Sequence, residues 1–524
     1  MLERDINILD CTLRDGGYIN DWKWGFKCSK AIIRLLTKAN VDVVEVGFLR
    51  NTNDFDPNIT VSNTIEDLNK LLPEDADSSK TLYSAMAMRS NYDINKLTPY
   101  NGKGIRLIRI TAHDYDIYEG LEFAKQVKEK GYLLAINPIN IMGYSDAEIL
   151  RIIEQVNQIQ PYQFSIVDTF GSMKRRDLDR IVSIVDNNLN RDIRIGLHLH
   201  ENTALSYSLA QRFLDKNLKR GITIDGSLMG MGRTPGNLPI ELISDYINDY
   251  FMERYDIDYM LDAIQEFIIP LKGETAWGYT SAYFLSAKYN LHRNYAEHFL
   301  KKGDLTHRDI NHLLSKITAE KATVFDSQFA DDLYKHYMNC RIDDSCAREE
   351  LKKELFLKKI LLIAPGKSVC ENAAILNDML EKDHYTVIAV NFIPTEIKCD
   401  FVFFSNSKRF ESVNRSNCKV ITTSNLQDAS SDFLINYNSI YSTIAQGSNS
   451  LVMLVNLLSQ LGIERTYIAG ADGYKEGVKN YYDDSYKSHI NRGMEYNREV
   501  AEAIKKLNII VEFITPSEYA QYID

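Results

Sequence analysis

Short apolar runs rich in β-branched residues recur along the first half of the chain, and amphipathic stretches separate them. Eight strands that alternate with helices are the sequence pattern of a (β/α)8 TIM barrel, a fold of the α/β class. In that fold the functional side chains collect at the C-terminal ends of the strands. The eight runs are Ile6–Leu13, Val41–Phe48, Thr81–Met88, Ile105–Thr111, Tyr132–Pro138, Gln163–Asp168, Ile193–His200 and Ile222–Leu228.

The pattern changes after the eighth run. Residues 256–351 have helical periodicity and no strand-like run, which predicts a helical extension of the barrel. A second α/β domain, with a doubly wound parallel sheet, is predicted beyond it. We therefore expect a barrel at 1–255, a helical extension and linker at 256–354, and an α/β domain at 355–524. The predicted strands of the α/β domain begin at Lys359, Thr386, Phe401, Lys419 and Thr466.

Length and charge limit the classes of function. The chain has 524 residues, which fits two or three domains, and its formal net charge of −11 argues against a nucleic-acid partner. Its seven cysteines include no CxxC pair, so we expect reduced thiols. The charged start and the absence of a long apolar segment predict no signal peptide and no membrane span. We expect a cytoplasmic homo-oligomer.

The clearest chemical signal is His198-Leu199-His200 at the end of one apolar run. Alternate side chains of a strand share a face, so both imidazoles can point at one ion. Asp15, after the first run, would add a carboxylate oxygen. These three groups predict a metal site with open positions at which a substrate could chelate.

Seven ionisable residues, the three predicted metal ligands included, fall at the predicted strand ends. Any one of them could be an ordinary buried polar group that is satisfied by hydrogen bonds. Because so many share one end of a barrel, the whole set favours an active site. They are Arg14, Asp15, Glu45, His113, Asp168, His198 and His200.

These residues belong to motifs that resemble a known superfamily. The chain is similar to the metal-dependent lyases and aldolases, which include 4-hydroxy-2-oxovalerate aldolase, hydroxymethylglutaryl-CoA lyase and isopropylmalate synthase. The resemblance spans the barrel half and is greatest to the 4-hydroxy-2-oxovalerate aldolase group. It rests on the segments Leu9–Gly17, Glu45–Gly47, Val167–Gly171, His198–His200 and Gly230–Asn237.

The resemblance implies a reaction and roles for individual residues. Asp15, His198 and His200 would ligate Mn²⁺ or Mg²⁺, with Asn237 as a further ligand or a group behind the ligands. Arg14 would lie beside the oxygen of an enolate formed from pyruvate or a similar 2-keto acid, which reacts with an aldehyde. A Lewis acid and a fixed cation both suit that negative oxygen.

One position departs from the aldolase pattern. Those aldolases have a histidine after the Arg-Asp-Gly-x motif that handles the proton of the C4 hydroxyl, whereas this chain has Tyr18. Tyr18 and His113 are therefore rival proton carriers. Glu45 and Asp168 are expected to contact the substrate. The changed proton carrier also suggests a changed acceptor aldehyde.

In the second α/β domain, Gly366, Lys367 and Ser368 follow a predicted strand and precede a helix. The leading glycine of a Walker motif is missing, but a turn at a helix N-terminus could bind an anion such as a nucleotide or a sugar phosphate. The domain faintly resembles sialyltransferase-type nucleotide-sugar folds. The alternative is a helix cap with a solvent-facing lysine.

Three hypotheses of function follow. The first is a divalent-metal-dependent aldolase with a fused domain that binds a nucleotide-linked or phosphorylated sugar. The second is an acyl-CoA condensing or cleaving enzyme of Claisen type with the same metal site. The third is a non-catalytic barrel scaffold, which the intact Arg14-Asp15 pair and both histidines disfavour. Metal-dependent exchange of pyruvate methyl protons would separate the three.

Overall fold

The computed structural model describes residues 5–52, 55–76, 80–233, 235–274, 277–303, 305–338, 342–412, 418–426, 429–441, 449–475, 481–483 and 493–523. The chain divides into two compact units. The first unit comprises residues 1–293 and 318–324, and the second comprises residues 294–317 and 325–524. The three-part division at residues 255 and 354 stays a prediction.

A closed barrel of parallel strands forms the first unit. Its strands pair in the order β1-β9-β8-β7-β6-β5-β4-β2, and β1 also pairs with β2, which closes the barrel. A short additional strand, β3, pairs with the C-terminal residues of β2, Phe48 and Leu49. The strands are β1 Ile6–Asp10, β2 Val43–Leu49, β3 Val61–Ser62, β4 Leu82–Ala87, β5 Leu107–Ala112, β6 Leu133–Pro138, β7 Gln163–Asp168, β8 Arg194–Leu199 and β9 Ile222–Gly226.

The predicted barrel is confirmed, with one correction at its start. The first apolar run was expected to be strand as far as Leu13, but β1 ends at Asp10 and residues Thr12–Asp15 form a helical turn. Asp10 causes this change of direction, because its carboxylate accepts hydrogen bonds from the backbone N–H of Thr12 at 3.0 Å and from the Thr12 hydroxyl at 2.6 Å.

Amphipathic helices cover the barrel and bury their apolar faces against the strands. A π-helical segment, Ile264–Ile268, joins α10 to α11. The helices of this unit are α1 Thr12–Asp15, α2 Gly17–Asn20, α3 Phe26–Lys38, α4 Ile65–Asn69, α5 Ile117–Glu129, α6 Asp146–Ile159, α7 Arg175–Asn188, α8 Ser206–Asp215, α9 Ile240–Tyr250, α10 Ile257–Ala263, α11 Ile269–Glu274 and α12 Ser281–Lys288.

The helices that follow the barrel strands complete this unit. The Trp277 indole N–H donates to the Met229 carbonyl at 3.0 Å, and the Gly278 N–H donates to the Pro235 carbonyl at 2.7 Å. The segment after α11 is therefore bonded to the loop that follows the last barrel strand.

The second unit has a parallel sheet of seven described strands, as predicted for an α/β domain. Its order is β14-β13-β12-β11-β10-β15-β16, so the direction of strand addition reverses between β10 and β15. Doubly wound sheets usually bind ligands at such a reversal. The strands are β10 Lys359–Ile363, β11 Tyr385–Val390, β12 Phe401–Phe404, β13 Lys419–Thr423, β14 Phe433–Ile435, β15 Arg465–Ala469 and β16 Ile510–Phe513.

Two of these strands were not predicted. Phe433–Ile435 is only 3 residues long, and the 4 residues of Ile510–Phe513 are all partly or fully exposed, so neither produces an apolar run. The helices are α13 Asn294–Lys302, α14 His307–Leu314, α15 Ser327–Met338, α16 Ser345–Leu355, α17 Ser368–Glu371, α18 Ala373–Lys382, α19 Ser407–Ser412, α20 Tyr437–Ile440, α21 Ser450–Gln460, α22 Met494–Lys505 and α23 Ala520–Ile523.

None of the helices in the described ranges combines the length and the apolar character needed to cross a bilayer. The cysteines of the described ranges are free thiols.

Candidate active site

The short turn after β1 holds Arg14 and Asp15 over the C-terminal end of the barrel. The Thr12 hydroxyl, which donates to Asp10, also accepts from the Leu228 N–H at 2.9 Å, so the loops after β1 and β9 are joined. Burial raises the pKa of Asp10 to about 7, against the lowering effect of its bonds to Thr12. The helical turn α1 then places Arg14 and Asp15 one after the other above the barrel.

The structure brings together the three predicted metal ligands. Asp15, His198 and His200 each offer one ligand atom, and these atoms lie within 4.8 Å of one another. All three residues are buried, and Nε2 of His200 is 3.9 Å from Oδ2 of Asp15. They come from the turn after β1 and from the end of β8, as the spacing of the motifs predicts.

Neighbouring oxygens face one nitrogen of each imidazole. Nδ1 of His200 lies 3.0 Å from the carbonyl oxygen of Asp168, which leaves its Nε2 for a metal, as in most histidine metal sites. Nδ1 of His198 lies 3.3 Å from Oδ2 of Asp225 but forms no hydrogen bond with the described residues. Burial, aided by the nearby His198, lowers the pKa of His200 to about 3, so this imidazole is neutral and able to ligate.

Asp15 is an anion in this site. Burial alone would raise its pKa, but Arg14 and His200 hold the pKa of this carboxyl well below its usual range. The Asn237 side-chain amide donates to Asp15 Oδ2 at 2.6 Å, and its oxygen Oδ1 is buried with no hydrogen-bond partner among the described residues. One carboxylate, two imidazoles and an unsatisfied amide oxygen fit a divalent cation with open positions.

A network of buried charges fixes Arg14. Its Nε lies 2.6 Å from Glu45 Oε2, and one terminal nitrogen lies 2.6 Å from Asp15 Oδ1. Arg109 bridges Glu45, at 3.0 Å, to Asp225. Burial opposes the charge of Arg14, but Glu45 and Asp15 raise the pKa of this guanidinium above its ordinary value. The network thus links Arg14, beside the candidate metal site, to Asp225, whose Oδ2 lies 3.3 Å from Nδ1 of His198.

An irregularity in β2 gives Glu45 its place in this network. The pairing of β2 with β4 shifts between Glu45 and Gly47, so one extra residue is inserted into β2 as a β-bulge. A Cβ atom at Gly47 would collide with the carbonyl oxygen of Thr60, which accepts from the Phe48 N–H at 2.8 Å. Bulges commonly redirect a side chain next to an active site.

Tyr18 lies next to an aromatic and cationic group of side chains. Its ring packs edge-on against Trp22, with 4.7 Å between ring centroids, and its hydroxyl accepts from Arg50 at 3.4 Å. Trp22 has a φ of +59°, and its indole N–H donates to the Arg14 carbonyl at 2.7 Å. A Cβ atom at Gly17 would collide with this indole, so glycine is needed there.

His113, the rival of Tyr18, follows β5. Its ring stacks on Tyr115 at 4.9 Å, and its Nδ1 is buried with no hydrogen-bond partner among the described residues. Burial lowers its pKa, and the charge of Arg233 acts in the same direction. Arg233 also lies 5.5 Å from the Tyr18 ring centroid. The structure thus places both candidates near Arg233, and the choice between them stays a prediction.

The two residues expected to contact substrate have protein partners here. Glu45 Oε2 accepts from both Arg14 and Arg109, while its Oε1 is buried with no partner among the described residues. The Asp168 carboxylate accepts from the backbone N–H groups of Ser172 and Met173, at 2.9 and 3.0 Å. Burial raises the pKa of Asp168 to about 7. Direct substrate contact by either residue stays a prediction.

The predicted anion-binding turn of the second unit has an internal carboxylate next to it. The Ser368 N–H donates to Asp472 at 2.9 Å, and the Ser368 hydroxyl donates to the same carboxylate. Lys367 is exposed and pairs with Glu371 at 2.9 Å, and Gly366 forms an isolated bridge with Tyr481. The Ser368 amide already donates to the carboxylate of Asp472. Anion binding by Gly366, Lys367 and Ser368 stays a prediction.

Sequence reasoning missed the residues behind the candidate site. Arg109 and Asp225 each interrupt an otherwise apolar run, and a charged residue inside a buried strand is itself a signal of a buried ion pair. Arg50 and His292 had no such signal, because each lies outside the predicted strands. Their proximity to other groups depends on the folded loops.

The fold and the site define a (β/α)8 barrel with a candidate metal centre at the C-terminal ends of its strands. The HMGL-like family model matches residues 5–250. This match covers the barrel part of the chain and confirms the predicted superfamily.

Curated relatives agree with this assignment. The chain is 22% identical over 320 residues to 4-hydroxy-2-oxovalerate aldolase of Geobacillus thermodenitrificans, covering 59% of this chain and 89% of that protein. It is 25% identical to the enzyme of that name from Thermomicrobium roseum, covering 50% and 73%. These relatives confirm the predicted carbon–carbon lyase class. The N-terminal domain of a candidate aldolase from Bacteroides vulgatus aligns with a TM-score of 0.48 and 23% identity, covering 58% and 99%.

Proposed function

We propose that the barrel is a divalent-metal-dependent aldolase that joins the enolate of pyruvate, or of a similar 2-keto acid, to an aldehyde, or cleaves the product. The observation that carries this proposal is the group of Asp15, His198 and His200 within 4.8 Å, with Arg14 bonded to one of them. Carbon–carbon bond chemistry next to a keto acid needs both a Lewis acid and a fixed positive charge.

The donor atoms favour Mn²⁺ over Mg²⁺. Asp15 would supply a hard oxygen, while His198 and His200 would supply imidazole nitrogens, which Mg²⁺ seldom accepts. When bound, the cation would act as a Lewis acid on the keto oxygen of the substrate. The Asp168 carbonyl, 3.0 Å from Nδ1 of His200, would hold that ring in a ligating orientation.

Arg14 would stabilise the negative charge that develops on the enolate oxygen. Its guanidinium is held by Glu45 and Asp15 before any substrate arrives, so little reorganisation is needed during the reaction. Tyr18 or His113 would carry the proton of the hydroxyl derived from the aldehyde. Tyr18 lies beside Arg233, on the side of the site that we assign to the acceptor, and the charge of Arg233 helps to lower the pKa of His113, chiefly set by burial.

Exchange of pyruvate methyl protons with solvent deuterium tests this function. With Mn²⁺ and no aldehyde, we expect exchange that stops on addition of a chelator. Asp15→Asn, His198→Ala and His200→Ala should each abolish exchange and lower the bound metal, because each removes a ligand. His336→Ala, on the exposed face of α15, is the matched control. Exchange that requires a CoA thioester, or wild-type metal content in His200→Ala, would contradict the proposal.

We also propose that the second unit binds a nucleotide-linked or phosphorylated sugar. The support is the reversal of strand order between β10 and β15, with Ser368 and Asp472 in the loops that follow these strands. Equilibrium dialysis with labelled nucleoside diphosphate sugars tests it. Binding that Ser368→Ala weakens is expected, and no binding of any such ligand would contradict it.

A further inference from the structure

Arg50 lies against Tyr18 at the C-terminal end of the barrel. It directly follows β2, and one of its terminal nitrogens donates to the Tyr18 hydroxyl at 3.4 Å. Within the described part of the chain the Tyr18 hydroxyl has no other hydrogen bond, so its own proton has no protein acceptor there. A phenol with a cationic donor on its oxygen and a proton still to give is suited to act as an acid.

Aromatic rings hold the guanidinium group of Arg50 in place. Its guanidinium carbon lies 4.0 Å from the ring centroid of Phe48 and 4.6 Å from that of Trp22. No carboxylate of the described ranges forms an ion pair with it. Arg14 shares its charge with two carboxylates, whereas the charge of Arg50 is available to the phenol oxygen.

Trp22 connects Arg50 and Tyr18 to the rest of the candidate site. Its ring packs edge-on against Tyr18, and its indole N–H donates to the Arg14 carbonyl at 2.7 Å. Its backbone carbonyl accepts from the N–H of Thr60, directly before β3, at 3.1 Å. The position of the Tyr18 ring is therefore linked, through one side chain, to that of Arg14.

We propose that Arg50 is a positioning residue that makes Tyr18, rather than His113, the proton carrier for the aldehyde acceptor. This inference rests on the proposed aldolase function. Arg50 would fix the phenol oxygen and stabilise the negative charge that the phenol acquires when it gives up its proton. Burial lowers the pKa of His113, so its ring is neutral near pH 7 and lacks the second ring proton that an acid would give.

The proton transfer balances in both directions. In synthesis, the enolate carbon bonds to the aldehyde carbon, the electron pair of the C=O bond passes to the aldehyde oxygen, and this oxygen takes the Tyr18 proton. The phenolate then recovers a proton from solvent, which has received one from the pyruvate methyl group. In cleavage, the phenolate beside Arg50 removes the hydroxyl proton, and the electrons of the broken C–C bond form the enolate.

Aldol formation and pyruvate exchange, measured on the full-length, Mn²⁺-loaded protein, test the proposal. Aldol formation is followed with pyruvate and the best accepted of propanal, glycolaldehyde and glyceraldehyde. Arg50→Gln should lower kcat for aldol formation by about tenfold to a hundredfold, the effect of one hydrogen bond to a charged group. The KM for pyruvate and the exchange rate should change by less than about threefold, because neither involves the Tyr18 proton. Arg50→Lys should recover part of the loss, since an ammonium can still donate to the phenol.

A double-mutant cycle separates the positioning of Tyr18 from a general effect of charge. In a Tyr18→Phe background, Arg50→Gln should lower kcat by less than about threefold, because the hydroxyl through which Arg50 acts is already lost. Arg89→Gln removes an exposed arginine that lies two residues after β4, at the same end of the barrel, and is the control for loss of a positive charge. It should keep wild-type kcat.

Independent losses that multiply in the double variant would overturn the proposal. Loss of pyruvate exchange in both Arg50→Gln and Arg50→Lys would also overturn it, because Arg50 would then support the barrel rather than Tyr18. So would wild-type exchange without aldol formation from any of the three aldehydes. Failure of the aldolase function itself is distinguishable, because the wild type would then show no pyruvate exchange.

Discussion

Arg14 connects the buried charges of the barrel to the candidate metal site. It contacts Glu45 and Asp15 at 2.6 Å each, and Glu45 in turn accepts from Arg109. Removing one member of a buried network leaves the other charges unpaired, which destabilises the protein. Such a network therefore holds each of its side chains in one position. The position of Arg14 is therefore set by the protein and does not depend on the substrate.

Arg14→Lys should lower the turnover number far more than it changes the KM for pyruvate. A lysine ammonium cannot contact Glu45 and Asp15 with the same planar geometry, so its charge would be misplaced beside the enolate. Loss of one such charge stabiliser costs about 3–4 kcal/mol, or about a hundredfold to a thousandfold in rate. Steady-state kinetics and the rate of pyruvate exchange measure it. A loss below about tenfold would show that Arg14 has a structural role.

Tyr18→Phe should suppress aldol cleavage much more than metal-dependent pyruvate exchange. The phenol would act on the hydroxyl derived from the acceptor, whereas exchange involves only the methyl group of pyruvate. The expected loss in cleavage is about a hundredfold, at the lower end of general acid–base contributions. His113→Ala is the matched variant: loss of cleavage in His113→Ala but not in Tyr18→Phe would assign the proton to His113.

The sequence reveals the ligand set of this site better than its supporting groups. His198 and His200 share a strand face, and Asp15 ends a neighbouring run, so their convergence follows from strand geometry. The groups that face each histidine, the Asp168 carbonyl and the Asp225 carboxylate, follow from packing between strands, which no spacing encodes. Arg109 and Asp225 could therefore be recognised only as unexplained charges in apolar strands.

The β-bulge in β2 lies next to Glu45, so the local backbone geometry of this strand affects a charged group of the site. The inserted residue precedes Gly47, whose backbone packs against Thr60. Glu45, on the other side of the bulge, meets two arginines. A distortion of β2 should therefore disturb both folding and the position of Arg14.

Gly47→Ala should destabilise the barrel by about 1–3 kcal/mol, because the added Cβ would collide with the Thr60 carbonyl and force the strand to shift. It should also lower the rate of pyruvate exchange through the displaced Glu45. Urea unfolding and the exchange assay measure the two effects. Gly273→Ala is the control, since nothing lies within 4 Å of a Cβ at that helical position. Equal stability of the two variants would argue against the bulge as a constraint.

The strands that could be predicted are those in which burial produces a long apolar run. The eight barrel strands and five strands of the second sheet were predicted, whereas the short strand β14 and the partly exposed strand β16 were not. The end of β1 was missed because Asp10 redirects the backbone through hydrogen bonds to Thr12. Local side-chain bonds of this kind compete with strand pairing and leave the hydrophobic pattern unchanged.

The two compact units differ in their tryptophan content. All 3 tryptophans, Trp22, Trp24 and Trp277, belong to the first unit. The predicted metal ligands belong to the same unit. Tryptophan fluorescence therefore follows the barrel alone, whereas far-ultraviolet circular dichroism follows both units.

Mn²⁺ should raise the urea concentration at the midpoint of the unfolding transition that tryptophan fluorescence reports. A second transition, seen only by circular dichroism, should keep its midpoint. A ligand that binds only the folded barrel stabilises it by about 2.7 kcal/mol at a hundredfold excess over its Kd. The second sheet has no part in the predicted metal site, so its unfolding should not respond to Mn²⁺. His200→Ala should remove the shift, and His336→Ala should retain it. If both probes moved together on addition of Mn²⁺, the two units would unfold as one cooperative structure, contrary to this division of the chain.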